Sequence, residues 1–352
     1  MTFSLKTDIL VRVFFAAIIL LFFSSSVRAD STNKGIEEKV LSQVVSKNQV
    51  TFLYDAFGHD NGMQKDWGFS ALLEIAGKRI LFDTGNNSEI FAQNIQAKGV
   101  DLTNLDFAVI SHRHGDHMGG LNHLLQVNPT VPIYVPKENF GVFGASLPGT
   151  FYKGNASLPS NMRYFDGNPP KTLSFGTPWA EGNFNFVTET TEVFPGIHLI
   201  LLKGEWGVDL DVMEVSLAIE TSHGVVLIVG CSHPTIEKIV KTAMDEIKQP
   251  IYLVLGGLHL LPSSNEEIQN VASALHDTLN VENIAPVHCT GEAAFEILKE
   301  TFAERYLYAG VGTTIVLEQS PVSTTSAVNL QLYRELANSS SDTRRAVVHN
   351  HQ

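Results

Sequence analysis

The stretch SHRHGDHMGG, residues 111–120, places three histidines and an aspartate within six positions and closes on paired glycines. Neutral imidazole binds zinc at about 2.0–2.1 Å, and carboxylate oxygens bind at similar range. His112 and His114 are two apart, so in an extended turn they project to one side and can grip a single ion. Asp116 and His117 follow the bend at Gly115 and face a neighbouring position. One short loop therefore carries half the ligands of two adjacent ions. Gly119 and Gly120 let the backbone turn tightly into the next helix. The apolar run before the loop, LDFAVISH, reads as a buried strand, and GGLNHLLQV after it reads as a helix.

Working outward, VTFLYDAF and FSALLEIAGKRILFDTG are strand-like, the second holding a hairpin around Gly77-Lys78. SEIFAQNIQAKG has helical spacing, with Ser88 as N-cap and Gly99 as stop. Downstream, VSLAIET, GVVLIVG, IYLVLGG, NIAPVH and TTIVLE read as strands. HPTIEKIVKTAMDEI, SNEEIQNVASALHDTL and GEAAFEILKETF read as helices. Such alternation calls for sheets covered by helices. Residues 141–185, rich in Gly, Pro, Asn and aromatics, are too long for an ordinary connection and read as an insertion or lid. Residues 319–352 are Ser/Thr-rich and read as a flexible tail.

The 352 residues are 44% hydrophobic and 17% charged, with a formal charge of −13. This suits a globular domain and provides no basic stripe for nucleic acid. The N-terminus is a separate object: Lys6 and Arg12, an apolar run over residues 13–23, then SSSVRA ending at Ala29. That is the three-part pattern of a secretory signal peptide, residues 1–29, followed by a polar leader over 30–48 and the main domain over 49–318. The apolar run is short against the roughly 20 residues of a membrane span, so cleavage is favoured over an N-terminal anchor, with no stable membrane insertion afterwards. The expected location is the periplasm or the exterior. Cys231 and Cys289, the only cysteines, each lie beside a histidine, in GCSHP and HCTG. A place at or near a metal site is a more economical reading for them than a disulfide.

An apolar strand, then His-x-His-x-Asp-His, then Gly-Gly-Leu resembles the metallo-β-lactamase superfamily. With DWGFSALLEIAGKRILFDTG, VVLIVGCSHPTI, VLGGLHL and APVHCTG in this order, the chain is similar to the dihydropterin-synthase-like branch of that superfamily over about residues 50–317. The resemblance implies an α/β fold, an αββα sandwich with a binuclear metal site at one edge of two sheets. It places His112 and His114 on a first metal, and Asp116, His117 and His288 on a second. Asp83 would orient ligands rather than bind metal. Cys231 stands where many members carry a bridging aspartate, with His233 two residues on. Either or both would supply the missing groups, because no clear Pro-Gly-His-Thr motif provides the first metal's third ligand. His198, in PGIH, lies inside an apolar strand and reads as a packed histidine. His259 ends a strand at the same edge, as a proton donor or oxyanion contact, or as a plain strand end. Asp66 and Trp67 border the pocket. Glu205 and Glu214 are candidate polar contacts, with solvated loop charges as the default.

Two adjacent cations lower the pKa of a shared water and stabilise a developing oxyanion. The implied function is an exported metal-dependent hydrolase, with two zinc ions and with iron or manganese as alternatives. Its metal-bound hydroxide would attack an ester, lactone, amide or phosphodiester of a small-molecule substrate, with Asp116 and His259 as catalytic groups. The alternatives are a synthase like the branch's namesake, which expected export disfavours, and a non-hydrolytic metal- or ligand-binding protein on the same fold. A flavodiiron-like redox role would require a flavin module, and none is recognisable.

Overall fold

The computed structural model describes residues 48–59, 62–138, 145–148, 156–157, 159, 163–168, 170–175, 182–204 and 212–317. The expected signal peptide, nearly all of the polar leader, Glu205, the tail and most of the 141–185 stretch lie outside these residues. No helix among the described residues is long and apolar enough to cross a membrane.

Two sheets form the frame. The first is built from β1 (Gln49–Tyr54), β2 (Ser70–Ile75), β3 (Lys78–Phe82), β4 (Phe107–Val109), β5 (Pro132–Pro136), β8 (Asn183–Val187) and β15 (Thr314–Val316), in the order β15-β1-β2-β3-β4-β5-β8. The second contains β9 (Thr191–Phe194), β10 (Ile197–Lys203), β11 (Met213–Thr221), β12 (Gly224–Val229), β13 (Ile251–Gly257) and β14 (Asn283–Val287), in the order β14-β13-β12-β11-β10-β9. A separate two-stranded ladder pairs β6 (Ala145–Pro148) with β7 (Thr172–Phe175). The 141–185 stretch thus holds this ladder, and its last residues enter β8 at the edge of the first sheet.

The sequence alternates apolar faces to suit this layering. Phe52, Leu73, Ile80, Phe82 and Phe107 of the first sheet meet Leu217, Ile219, Val226, Ile228 and Leu255 of the second in a shared, fully buried core. The outer face of the first sheet is covered by α1 (Ser88–Lys98) and α3 (Leu121–Val127), through Phe91, Ile95, Leu121 and Leu124. The outer face of the second is covered by α4 (Ile236–Ile247), α5 (Asn265–Ser273) and α6 (Glu292–Phe302). The result is helix, sheet, sheet, helix, with the apolar surface removed from water between layers.

Two local readings need correction. The N-cap of α1 is Asn87, not Ser88: the Asn87 Oδ1 accepts from the Glu89 and Ile90 backbone N–H groups at 2.8 and 3.1 Å. Ser88 is the first helical residue, because Asn satisfies orphan N–H groups at least as well and comes one position earlier. The helix expected over SNEEIQNVASALHDTL stops its α geometry at Ser273 and continues as a π turn over Ala274–Thr278.

Strand direction positions the site. β3 and β4 run parallel, as do β12, β13 and β14. The loops leaving these strands therefore gather at shared edges, where open α/β sheets place their ligands.

Candidate metal centre

The 111–120 loop is held by the loop before it. Asp83, wholly buried just after β3, takes the Ser111 backbone N–H on Oδ1 at 2.7 Å and the Ser111 hydroxyl on Oδ2 at 2.8 Å. The same Oδ2 lies 2.7 Å from His117 Nδ1, and Ser111 Oγ lies 2.9 Å from His112 Nδ1. Each imidazole is thus tied at Nδ1, leaving Nε2 to face the cavity. Asp83 adopts φ 56°, as Ser232 (66°), His259 (56°) and His288 (51°) do at the other strand ends. Left-handed backbone at non-glycine residues is uncommon and gathers where function demands a side-chain direction. Gly119 seals the two loops together: its N–H donates to the Gly85 carbonyl at 2.7 Å, and a Cβ there would stand 2.0 Å from the Asn86 carbonyl oxygen.

The chain brings together all seven residues expected to bind metal. His112, His114 and His233 form one group, and Asp116, His117 and His288 form another. Cys231 groups with His112 and His117, between the two. His112 Nε2 is 3.1 Å from His114 Nδ1, and His117 Nε2 is 3.2 Å from His288 Nε2 and 3.1 Å from Cys231 Sγ. Two donors on one tetrahedral zinc stand about 3.3 Å apart, given bond lengths near 2.0–2.1 Å. The facing atoms therefore already have the spacing of ligands on an ion. The donor set of imidazoles, one carboxylate and a thiol suits zinc and its neighbours.

His233 is tied as firmly as His112. Glu214, at the start of β11, accepts from the backbone N–H groups of Cys231 and Ser232 on Oε1 at 2.9 and 2.8 Å, and from that of His233 on Oε2 at 2.8 Å. Its Oε2 also lies 2.8 Å from His233 Nδ1. The expectation of a solvated loop charge fails here: Glu214 is 1% exposed and sits on a strand. A buried carboxylate needs paired donors, and the GCSH turn supplies four.

The electrostatics follow the packing. Burial, then the neighbouring rings of His117 and His233, holds His112 well below its ordinary value. His288 is pushed down to about 3 by burial and His117. His114 opens to solvent at one edge, yet burial of the rest of the ring, then His233 and His117, lower it to about 4. These rings are neutral at pH 7, as metal ligands must be. Burial would also lower His117, but the charge and hydrogen bond of Asp83 outweigh it and raise this ring to about 9. Burial would raise Glu214, but His233 and the backbone N–H groups win and lower it. Burial raises the Cys231 thiol well above its usual range.

The remaining candidates sort clearly. His259 packs 4.7 Å from the His233 ring and groups with Cys231 and His233. Burial would lower its pKa, but Cys289, Glu214 and Asp116 raise it. Trp67, 43% exposed, donates its indole N–H to Asp116 Oδ2 at 2.9 Å and packs 5.1 Å from the His288 ring. Asp66 accepts from Tyr54 instead. His198 stays inside β10, 2.8 Å from Glu220 Oε1. Sequence reasoning missed Asp55, which takes the His288 backbone N–H on Oδ2 at 3.2 Å and directly follows β1 in the apolar TFLYDAF run. It also left Cys289 out of the ligand set. Cys231 and Cys289 are both free and buried.

Comparison with known proteins agrees. The description of the metallo-beta-lactamase superfamily matches residues 68–268. The chain is 31% identical over 281 residues to the 7,8-dihydropterin-6-methyl-4-(beta-D-ribofuranosyl)-aminobenzene-5'-phosphate synthase of Methanocaldococcus jannaschii, covering 74% of this chain and 94% of that one. It is 37% identical to the anaerobic nitric oxide reductase flavorubredoxin of Vibrio vulnificus, but over 82 residues, only 16% of that protein. The crystal structure of Tm1679, a metal-dependent hydrolase of the beta-lactamase superfamily, superposes with a TM-score of 0.60 at 27% identity, covering 77% of this chain and all of that one. The chain belongs to the metallo-beta-lactamase superfamily, in its two-sheet αββα form.

Proposed function

We propose that this protein is an exported hydrolase of small molecules that works with a pair of zinc ions. The observation that carries the reading is the convergence of six imidazole and carboxylate side chains, from three separate strand ends, into two adjacent three-donor groups with Cys231 between them. A cation pair in this place supplies Lewis acidity and an activated water at neutral pH. The chain's own groups do the rest. Asp83 and Glu214 fix the tautomers of His117 and His233, so that Nε2 is the ligating atom in each. Trp67 restrains Oδ2 of Asp116, which keeps the carboxylate beside His288, 3.5 Å from its Nε2. His259 stands beside His233, where a raised pKa suits it to hand a proton to a leaving group.

Ester, lactone, amide and phosphodiester substrates all fit such a centre. The grouping of His233 with His112 and His114 supports the hydrolase over the non-hydrolytic reading. A second reading keeps one specific observation: similarity to the dihydropterin synthase runs through nearly all of that relative. The test is an assay of purified protein, zinc-loaded and chelator-treated, against aryl esters, lactones and phosphodiesters. A parallel arm offers a dihydropterin pyrophosphate and a ribofuranosyl-aminobenzene phosphate as precursors, with pyrophosphate as the leaving group. Metal-dependent cleavage supports the hydrolase; condensation without cleavage supports the synthase; cleavage that survives full demetallation overturns the reading. Export is tested by the N-terminal sequence of protein secreted from cells, expected to begin near Asp30.

A further inference from the structure

Cys289 has no part in the ligand set above, yet it is buried beside it. Its thiol, the Cys231 thiol and a ring nitrogen of His288 all lie within 4.8 Å of one another. The room for this sulfur is built in: at Gly257 a Cβ would stand 2.7 Å from Cys289 Sγ and 3.2 Å from the His288 ring. The three donors follow two parallel strands of the second sheet, Cys231 after β12 and His288 and Cys289 after β14, which flank β13, the strand that ends at Gly257. The alternative is a plain structural thiol, since Cys289 Sγ also lies 3.7 Å from the Cys231 carbonyl oxygen.

We infer that Cys231, Cys289 and His288 form a thiolate-rich subsite that makes this centre selective for thiophilic cations. The inference rests on the metal-centre reading. Thiolates favour zinc, cadmium and copper(I), whereas carboxylate and water suit manganese and magnesium. On binding, each thiol loses its proton to solvent as its sulfur–metal bond forms, and no oxidant or reductant is needed. With Cys289 engaged, the centre offers two sulfurs, against one in the set without it. Manganese then becomes a poor occupant.

The decisive experiment is zinc K-edge X-ray absorption on the zinc-loaded full chain, with Cys289→Ala and Cys289→Ser beside wild type. Sulfur at about 2.3 Å marks the thiolate bonds. The expected result is about half a zinc–sulfur bond fewer per zinc in both variants, at unchanged zinc content. Cadmium-loaded protein gives the second readout, needing no variant to fold: a sulfur-to-cadmium absorption whose intensity corresponds to two thiolates in wild type. Identical sulfur counts in wild type and variants overturn the inference while leaving the metal centre standing. A Cys231–Cys289 disulfide in freshly isolated protein also overturns it. Wild type that takes up no zinc overturns both readings together.

Discussion

The two halves of the site are built by opposite strategies. The 111–120 loop offers four donors within six consecutive residues, so its geometry is local and needs one turn and one buried carboxylate to set it. The second sheet offers one or two donors at each of two strand ends, after β12 and β14, which converge only because those strands run parallel and in register on either side of β13. Local donors are fixed by spacing, and distant donors are fixed by the sheet. The second half should therefore be more sensitive to changes that touch the backbone.

The largest effect should come from deleting one donor on each side. His114→Ala and His288→Ala should each cost the chain at least one metal and lower metal-dependent turnover about a thousandfold, the several kcal/mol that a metal contributes to a transition state. Metal analysis per chain checks this, and full occupancy in both variants would break the comparison. Next in size is Glu214→Ala, which leaves three buried backbone N–H groups without an acceptor. We expect a loss of about 3 kcal/mol in urea unfolding, with the midpoint shifted and the His114 and His117 ligands untouched. A change under about 1 kcal/mol would show that the GCSH turn holds itself.

Asp83 is the matching lever on the local half. Asp83→Asn should weaken zinc binding about 10–100-fold. It should also abolish a proton event. With His117 raised to about 9 in the metal-free chain, its ring is protonated at pH 7, so zinc uptake must expel that proton. The raised value also means that the contribution of this ring to stability is whole below about 6.5 and fades as pH rises through about 9. Zinc titration in weakly buffered solution should release about one proton less from Asp83→Asn than from wild type at pH 7, with the difference gone above pH 10 or so. The smallest effect belongs to Trp67→Phe, which keeps the ring over His288 and removes one partly exposed N–H to Asp116. Substrate KM or turnover should move less than about tenfold, the worth of a single hydrogen bond.

How far the sequence could be read follows the same division. His112, His114, Asp116 and His117 announced themselves by spacing, and the layered fold by alternating apolar strands and amphipathic helices. His288 and Cys231 were legible as strand-end residues at positions where the resemblance to the family calls for ligands. Glu214 was not, because its role depends on the turn after a different strand folding over it, and nothing within its own neighbourhood, DVMEVSLAIE, signals that partner. Asp55 was hidden for the same reason: the group that it holds is the His288 backbone, 233 positions away. Ser88 lost its capping role to Asn87 through a competition between adjacent residues that pattern alone does not resolve.

The two donor groups each take residues from both sheets: His112 and His114 with His233, and Asp116 and His117 with His288. A cation seated there is a fastener across the seam of the sandwich, gripping the native arrangement and little in the unravelled chain. At a free concentration about a thousand times its dissociation constant, one such ion adds roughly 4 kcal/mol to folding. Starvation for metal would then register twice, as lost catalysis and as a protein that melts early and is cleared by proteases.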